Sequence, residues 1–130
     1  MFLKALLILF CVLISILVLA EDKVSVNQLD QAIASFRKEV DDNPKDAEAH
    51  YYLGSAYFSQ GRLKQAVIAY QKAVFLQHEY AKAYNNLGYV YLGFESPWFD
   101  SDLGIEYYKK AARLGYKGDQ IWLEKNGYDW

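Results

Sequence analysis

From about residue 26 onward, apolar residues return at steps of three and four, which places them on one face of each of several helices. The pattern predicts six helices, over 26–41, 46–59, 62–76, 80–93, 101–114 and a short one near 119–126. Turn chemistry separates them. Pro44 stops the first, because the residue before a proline is pushed out of helical geometry. Gly61 parts the second from the third, and Gly115 follows the last periodic residue of the fifth, where a left-handed cap is expected. Asp119 is placed to cap the last helix, and Asn126-Gly127 to end it. That helix sets Ile121, Trp122 and Leu123 beside Asp119, Gln120, Glu124 and Lys125, the apolar and charged faces that a terminal capping helix needs. No stretch reads as a strand, so the expected fold is all-α.

The first twenty residues have a different pattern. Lys4 is their only charge, and an apolar run extends from Ala5 to Leu19. Val18 and Ala20 sit at the small-residue positions of a signal-peptidase site, ahead of the acidic Glu21-Asp22. A positive start, an apolar middle and a small-residue end describe a secretory signal peptide, removed after Ala20. The run is long for a signal and short for a spanning helix, so an uncleaved membrane anchor stays open beside it. A buried core helix fits less well, because the run has no polar face. The only cysteine, Cys11, lies inside this leader behind Phe10, where a lipoprotein signal would need a small residue. The expected division is a leader over 1–20 and a helical domain over 21–130, exported to a bacterial periplasm or secreted, or else anchored in the inner membrane.

Leu29, Ala32, Ile33, Phe36 and Val40 recur thirty-four residues later as Leu63, Ala66, Val67, Tyr70 and Val74. Ala47, Ala49, Leu53, Gly54 and Tyr57 recur at the same offset as Ala81, Ala83, Leu87, Gly88 and Tyr91. Ten pairs at one period, in helical segments, form a repeat of one supersecondary unit. Small residues at Gly54 and Ala66 let two antiparallel helices approach closely, and Tyr57 and Tyr70 fill the space beside the crossing.

These residues resemble the tetratricopeptide repeat. His50-x-x-Leu53-Gly54-x-x-Tyr57 with Ala66-x-x-x-Tyr70-x-x-Ala73 reads as one full repeat over 47–80. Tyr84-x-x-Leu87-Gly88-x-x-Tyr91 with Gly104-x-x-x-Tyr108-x-x-Ala111 reads as a second over 81–116. Ala32, Phe36 and Pro44 look like the second half of an earlier repeat over 26–44. The departures are His50 where Trp is commonest, His78 where Pro is usual, Glu39 for a small Ala, and Gly104 for Ala. The resemblance implies an αα-hairpin solenoid that binds proteins and does no chemistry. In that family the first helix of each hairpin lines a concave groove, through the second, fifth, ninth, twelfth and thirteenth positions. Carried over, these are Glu48, Tyr51, Ser55, Phe58 and Ser59, then Lys82, Asn85, Tyr89, Leu92 and Gly93. Aromatic anchors beside amides suit a partner's peptide or helix. Ordinary core packing competes for Phe58 and Leu92, and to a lesser extent for Tyr51 and Tyr89. Some relatives grip a C-terminal carboxylate with Lys and Asn; here Tyr51 and Ser55 stand at those positions, which leaves Asn86 and Asn85 as the remaining likeness and favours an internal segment as the ligand.

The second repeat is four residues longer than the first, within 93–102, a loop carrying Trp98 and Phe99. The pair is either a binding element or folds back over the stack. Pro97 turns Ser96 away from helix, and Asp100 or Ser101 can cap the helix over 101–114. The helix over 26–41 has no first-half partner, so its Ile33, Phe36 and Val40 face is open to a second copy, to another protein, or to the membrane.

Composition changes this picture little. Hydrophobic residues make up 53% and charged residues 23%, which suits a packed chain rather than a disordered one. The net charge is -2 with no basic patch, which argues against nucleic acid. The two histidines lie twenty-eight residues apart, His50 at a packing position and His78 at a repeat junction. Without clustered ligands, a nucleophile constellation or a Gly-rich loop, no metal, cofactor or catalytic role is expected.

Overall fold

The computed structural model describes residues 2–93 and 99–130, with most side chains before Val26 outside the described set. Six helices succeed one another among these residues: α1 (Phe2–Asp42), α2 (Ala47–Ser59), α3 (Leu63–Leu76), α4 (Ala81–Leu92), α5 (Ser101–Arg113) and α6 (Lys117–Lys125). No strand occurs among the described residues. The chain is an all-α solenoid in which α2 pairs with α3 and α4 with α5.

Each hairpin closes on a glycine facing a tyrosine. A Cβ on Gly54 would stand 2.7 Å from the Tyr70 ring, and one on Gly88 would stand 2.3 Å from the Tyr108 ring. The aromatic plate lies directly on helix backbone, which brings the two helix axes close. Ala66, Ala73 and Ala111 carry no exposed surface, as expected of residues at a tight crossing. Leu53, Tyr57, Tyr70, Leu87 and Tyr91 form one continuous core through both hairpins, while Tyr108, Ala112 and Leu123 form a second beneath α6.

The termini explain where the helices start and stop. Asp46 accepts hydrogen bonds from the Glu48 and Ala49 amides at 2.9 and 3.1 Å, a side-chain cap that contributes about 1 kcal/mol. Asp100, rather than Ser101, caps α5 by accepting from the Leu103 amide at 3.0 Å. Gly61 and Gly115 adopt φ of 71° and 91°, and the next amides along, of Arg62 and Tyr116, donate back to Tyr57 and Ala111. That left-handed closure satisfies the last carbonyls of α2 and α5 at a backbone angle few other residues adopt.

Three expectations are corrected. The first helix does not begin near residue 26: α1 runs unbroken from Phe2 to Asp42, so the apolar leader and the first repeat helix share one backbone. Its Ile33 is buried in this chain's own core, and Phe36 stacks on Tyr52 at 5.6 Å, so α2 already covers much of the face expected to be open. Asp119 does not cap α6, which begins two residues earlier at Lys117 behind Tyr116. Counted over the described residues alone, no helix is long and apolar enough to cross a membrane; the side chains of the leader lie largely outside that set.

Candidate functional site

The first helices of the hairpins, α2 and α4, and the terminal α6 stand side by side. Phe58 on α2 meets Tyr89 on α4 edge to face, with ring centroids 5.7 Å apart. Asn85 on α4 donates its amide N–H to Asp119 on α6 at 2.7 Å. Between these two ties lies a hollow of about 220 Å³ lined by Phe58, Asn85, Asn86 and Tyr89. Three of these four residues are groove positions carried over from the repeat pattern; Asn86 stands beside them.

The remaining groove positions divide. Tyr89 is 60% exposed, and Lys82 and Glu48 are also at the surface, where Glu48 accepts from the Tyr52 hydroxyl at 3.1 Å. Ser55 and Ser59 turn back to their own helix, donating to the carbonyls of Tyr51 and Ser55 at 3.1 and 3.0 Å. Ser55 also accepts from the Tyr70 hydroxyl at 3.3 Å, which ties the groove wall to the hairpin core. Tyr51 is half-buried, with its ring 5.9 Å from Tyr70 and 5.0 Å from Tyr80. Burial first, and the nearby Glu48 charge second, push the Tyr80 phenol up to about 12. Leu92 does not face the groove: it packs under Gly104, where an added Cβ would meet it at 2.7 Å. The twelfth position of α4 is the last helical residue, and the close approach of α5 draws it inward. Gly93 is half-buried at the same end.

Of the loop pair, Trp98 lies outside the described residues, and Phe99 is 44% exposed. His50 is buried, its Nε2–H donating to the Pro44 carbonyl at 3.0 Å, while His78 is at the surface. Among the described residues, no group of three or more His, Cys, Asp or Glu side chains converges as a metal site.

The residue that sequence reasoning missed is Asp119. It is 3% exposed, and its Oδ2 has no hydrogen-bond partner among the described groups. Burial pushes its carboxyl up to about 6, against the opposing pull of the Asn85 hydrogen bond. The signal was present: Asp119 lies three and four residues before Trp122 and Leu123, hence on the apolar face of α6 rather than at its end.

Comparison with known proteins agrees with this geometry. A family model described as tetratricopeptide repeat matches residues 17–86. A crystal structure of MamA superposes with a TM-score of 0.62 at 32% identity, covering 80% of this chain and 62% of that one. A second MamA crystal structure gives 0.59 at 35% identity, covering 70% and 48%. A MamA double mutant gives 0.62 at 29% identity, covering 75% and 52%. The chain therefore spans about half to six-tenths of the length of these solved structures. No curated protein matches the sequence. With more than half of its length inside the family model, and with the hairpin crossings built on the expected glycine and tyrosine positions, the chain belongs to the tetratricopeptide-repeat family.

Proposed function

We propose that the chain is a non-enzymatic adaptor that holds a segment of a partner protein in the groove of α2, α4 and α6. The observation that carries this reading is the hollow between Phe58 and Tyr89, where an exposed ring and the Asn86 side chain border about 220 Å³ of open space. An apolar side chain of the partner would enter beside the rings, and amide groups nearby would meet its backbone. Asn85 is already tied to Asp119 and Asn86 to the Tyr70 hydroxyl, which leaves the exposed Tyr89 ring as the group that turns toward a ligand.

Two groove tyrosines separate under this reading. Tyr89→Ala should weaken partner capture several-fold and leave the melting temperature within a few degrees. Tyr51→Ala should instead lower stability by about 2 kcal/mol or more, because its ring is packed against Tyr52, Tyr70 and Tyr80. A photo-crosslinking residue at position 89, with position 106 on α5 as control, checks the first claim in intact cells. Equal capture from both positions would remove the groove as the binding face.

A second reading rests on α1. A helix continuous from Phe2 to Asp42, with Phe10, Val12, Leu13 and Ile14 exposed, suits a retained anchor that carries the repeats as an assembly subunit of an envelope complex. N-terminal sequencing of the protein from its own cells separates the two. A start at Glu21 supports the exported adaptor; a retained leader that resists carbonate extraction supports the anchored subunit.

A further inference from the structure

On the opposite side of the solenoid, α1 and α3 leave an apolar cleft of about 700 Å³. Val40, His50 and Tyr57 border it, and Ala69 and Lys72 of α3 stand opposite. Ile68 and Phe75 of α3 also line it and are 57% and 68% exposed.

The chain contains a second copy of this place, and there it is filled. Val40, His50 and Tyr57 correspond at the thirty-four-residue offset to Val74, Tyr84 and Tyr91. Past the four-residue insertion, Ala69 and Lys72 correspond to Tyr107 and Lys110. Tyr107 lies against Tyr84 at 6.1 Å and against Tyr91 at 5.6 Å, with ring planes inclined by 28° and 31°. Lys110 Nζ sits 5.5 Å from the Tyr84 ring and 5.9 Å from the Tyr107 ring. At the first junction His50, Tyr57 and Lys72 stand where Tyr84, Tyr91 and Lys110 do, with the Arg62 guanidinium 4.7 Å from the Tyr57 ring, and the Ala69 methyl group takes the place of the Tyr107 ring.

We infer that the cleft between α1 and α3 is a binding site for an aromatic side chain of a partner polypeptide, held between His50 and Tyr57 beside Lys72. The electrostatics match: the face of an aromatic ring is negative, and Lys72 already lies 5.1 Å over the Phe75 ring, as Lys110 lies over its tyrosines. The cleft is longer than one ring needs. Residues flanking the aromatic anchor would cover Ile68 and Phe75, which is why a polypeptide segment fits better than a free small molecule. The site is on the other face from the Phe58–Tyr89 groove and does not depend on that groove's role.

The test is an NMR titration of the full chain in detergent micelles with the blocked pentapeptide Ala-Ala-Tyr-Ala-Ala, against its leucine analogue. The tyrosine peptide should shift the resonances of Tyr57, Ala69 and Lys72 and bind at least about five-fold more tightly than the leucine peptide. Equal binding, or shifts confined to α4, would overturn the inference. Ala69→Tyr should fill the cleft from within, abolish these shifts and keep or raise the melting temperature. Failure of that variant to fold would show that the equivalence with Tyr107 does not hold, and would overturn the inference too. Lys72→Met, at an exposed position, should weaken the tyrosine peptide about two- to five-fold and leave the leucine peptide unchanged. The same loss for both peptides would count against an aromatic site.

Discussion

Gly88→Leu is expected to unfold the second hairpin well below the melting temperature of the native chain. A Cβ at this position would stand 2.3 Å from Tyr108 Cδ1 and 3.0 Å from the Gly104 carbonyl oxygen. The first obstacle is a ring held edge to face by Trp122 at 5.0 Å; the second is backbone. Gly104 cannot retreat, because Leu92 already lies beneath it. The crossing must therefore open, at a cost of about 3 kcal/mol, the upper end of what overpacking usually does. For a domain of this size that is a loss of roughly 10–20 °C in thermal melting monitored by circular dichroism. Gly54→Leu should be milder, about 1–3 kcal/mol, since the near atoms there all belong to the Tyr70 side chain. A Gly88→Leu protein that melts like the native one would show that the α4–α5 crossing is not closed as described.

The second large effect is a dependence on pH through Asp119. Its carboxyl ordinarily titrates near 3.8 and is raised to about 6 by burial beneath α6. The folded state therefore binds the proton more tightly than the unfolded chain does. Stability from this group is fully present below about pH 4 and is lost as pH rises through about 6. The whole loss is on the order of 3 kcal/mol. At neutral pH the charged carboxylate has one satisfied oxygen, on Asn85 at 2.7 Å, and one unpartnered oxygen. The neighbouring Tyr108 phenol is pushed up to about 12, by burial first and by this charge second, so it stays protonated throughout the range. Asp119→Asn removes the charge and keeps an oxygen for Asn85. It should stabilise the protein by about 1–2 kcal/mol at pH 7.5, less than the full shift because the new amide N–H lacks an acceptor. The difference between the two proteins should vanish near pH 4. A constant difference between pH 4 and pH 8 would mean that Asp119 titrates as a surface carboxylate does.

Asp119 also illustrates how sequence reading and structure diverge. An acid near the start of a helix reads as a cap, because capping depends only on nearest neighbours along the chain. Whether that acid lies inside depends on which face the preceding helices cover, and helix packing settles that. Leu92 is a parallel case. Its repeat position assigns it to the groove, yet the approach of α5 over Gly104 turns it into core. Tyr51 is assigned to the groove by the same rule and is half-buried among three other tyrosines.

What could be read from residues alone was the periodic part: five of the six helices to within about two residues, the two Gly–Tyr crossings and the left-handed close at Gly115. These features arise from local geometry repeated at a fixed spacing, since a residue too large for a crossing is excluded in every copy. The unbroken course of α1, the burial of Asp119, the tie from α4 to α6 and the hollow beside Ala69 depend on how separate helices meet. A missing ring leaves no mark in the sequence until its counterpart, Tyr107, is seen lying between Tyr84 and Tyr91. Periodicity therefore determined the scaffold, while the surfaces on which a partner could settle emerged only from packing, where one side chain's space is set by residues thirty or more positions away.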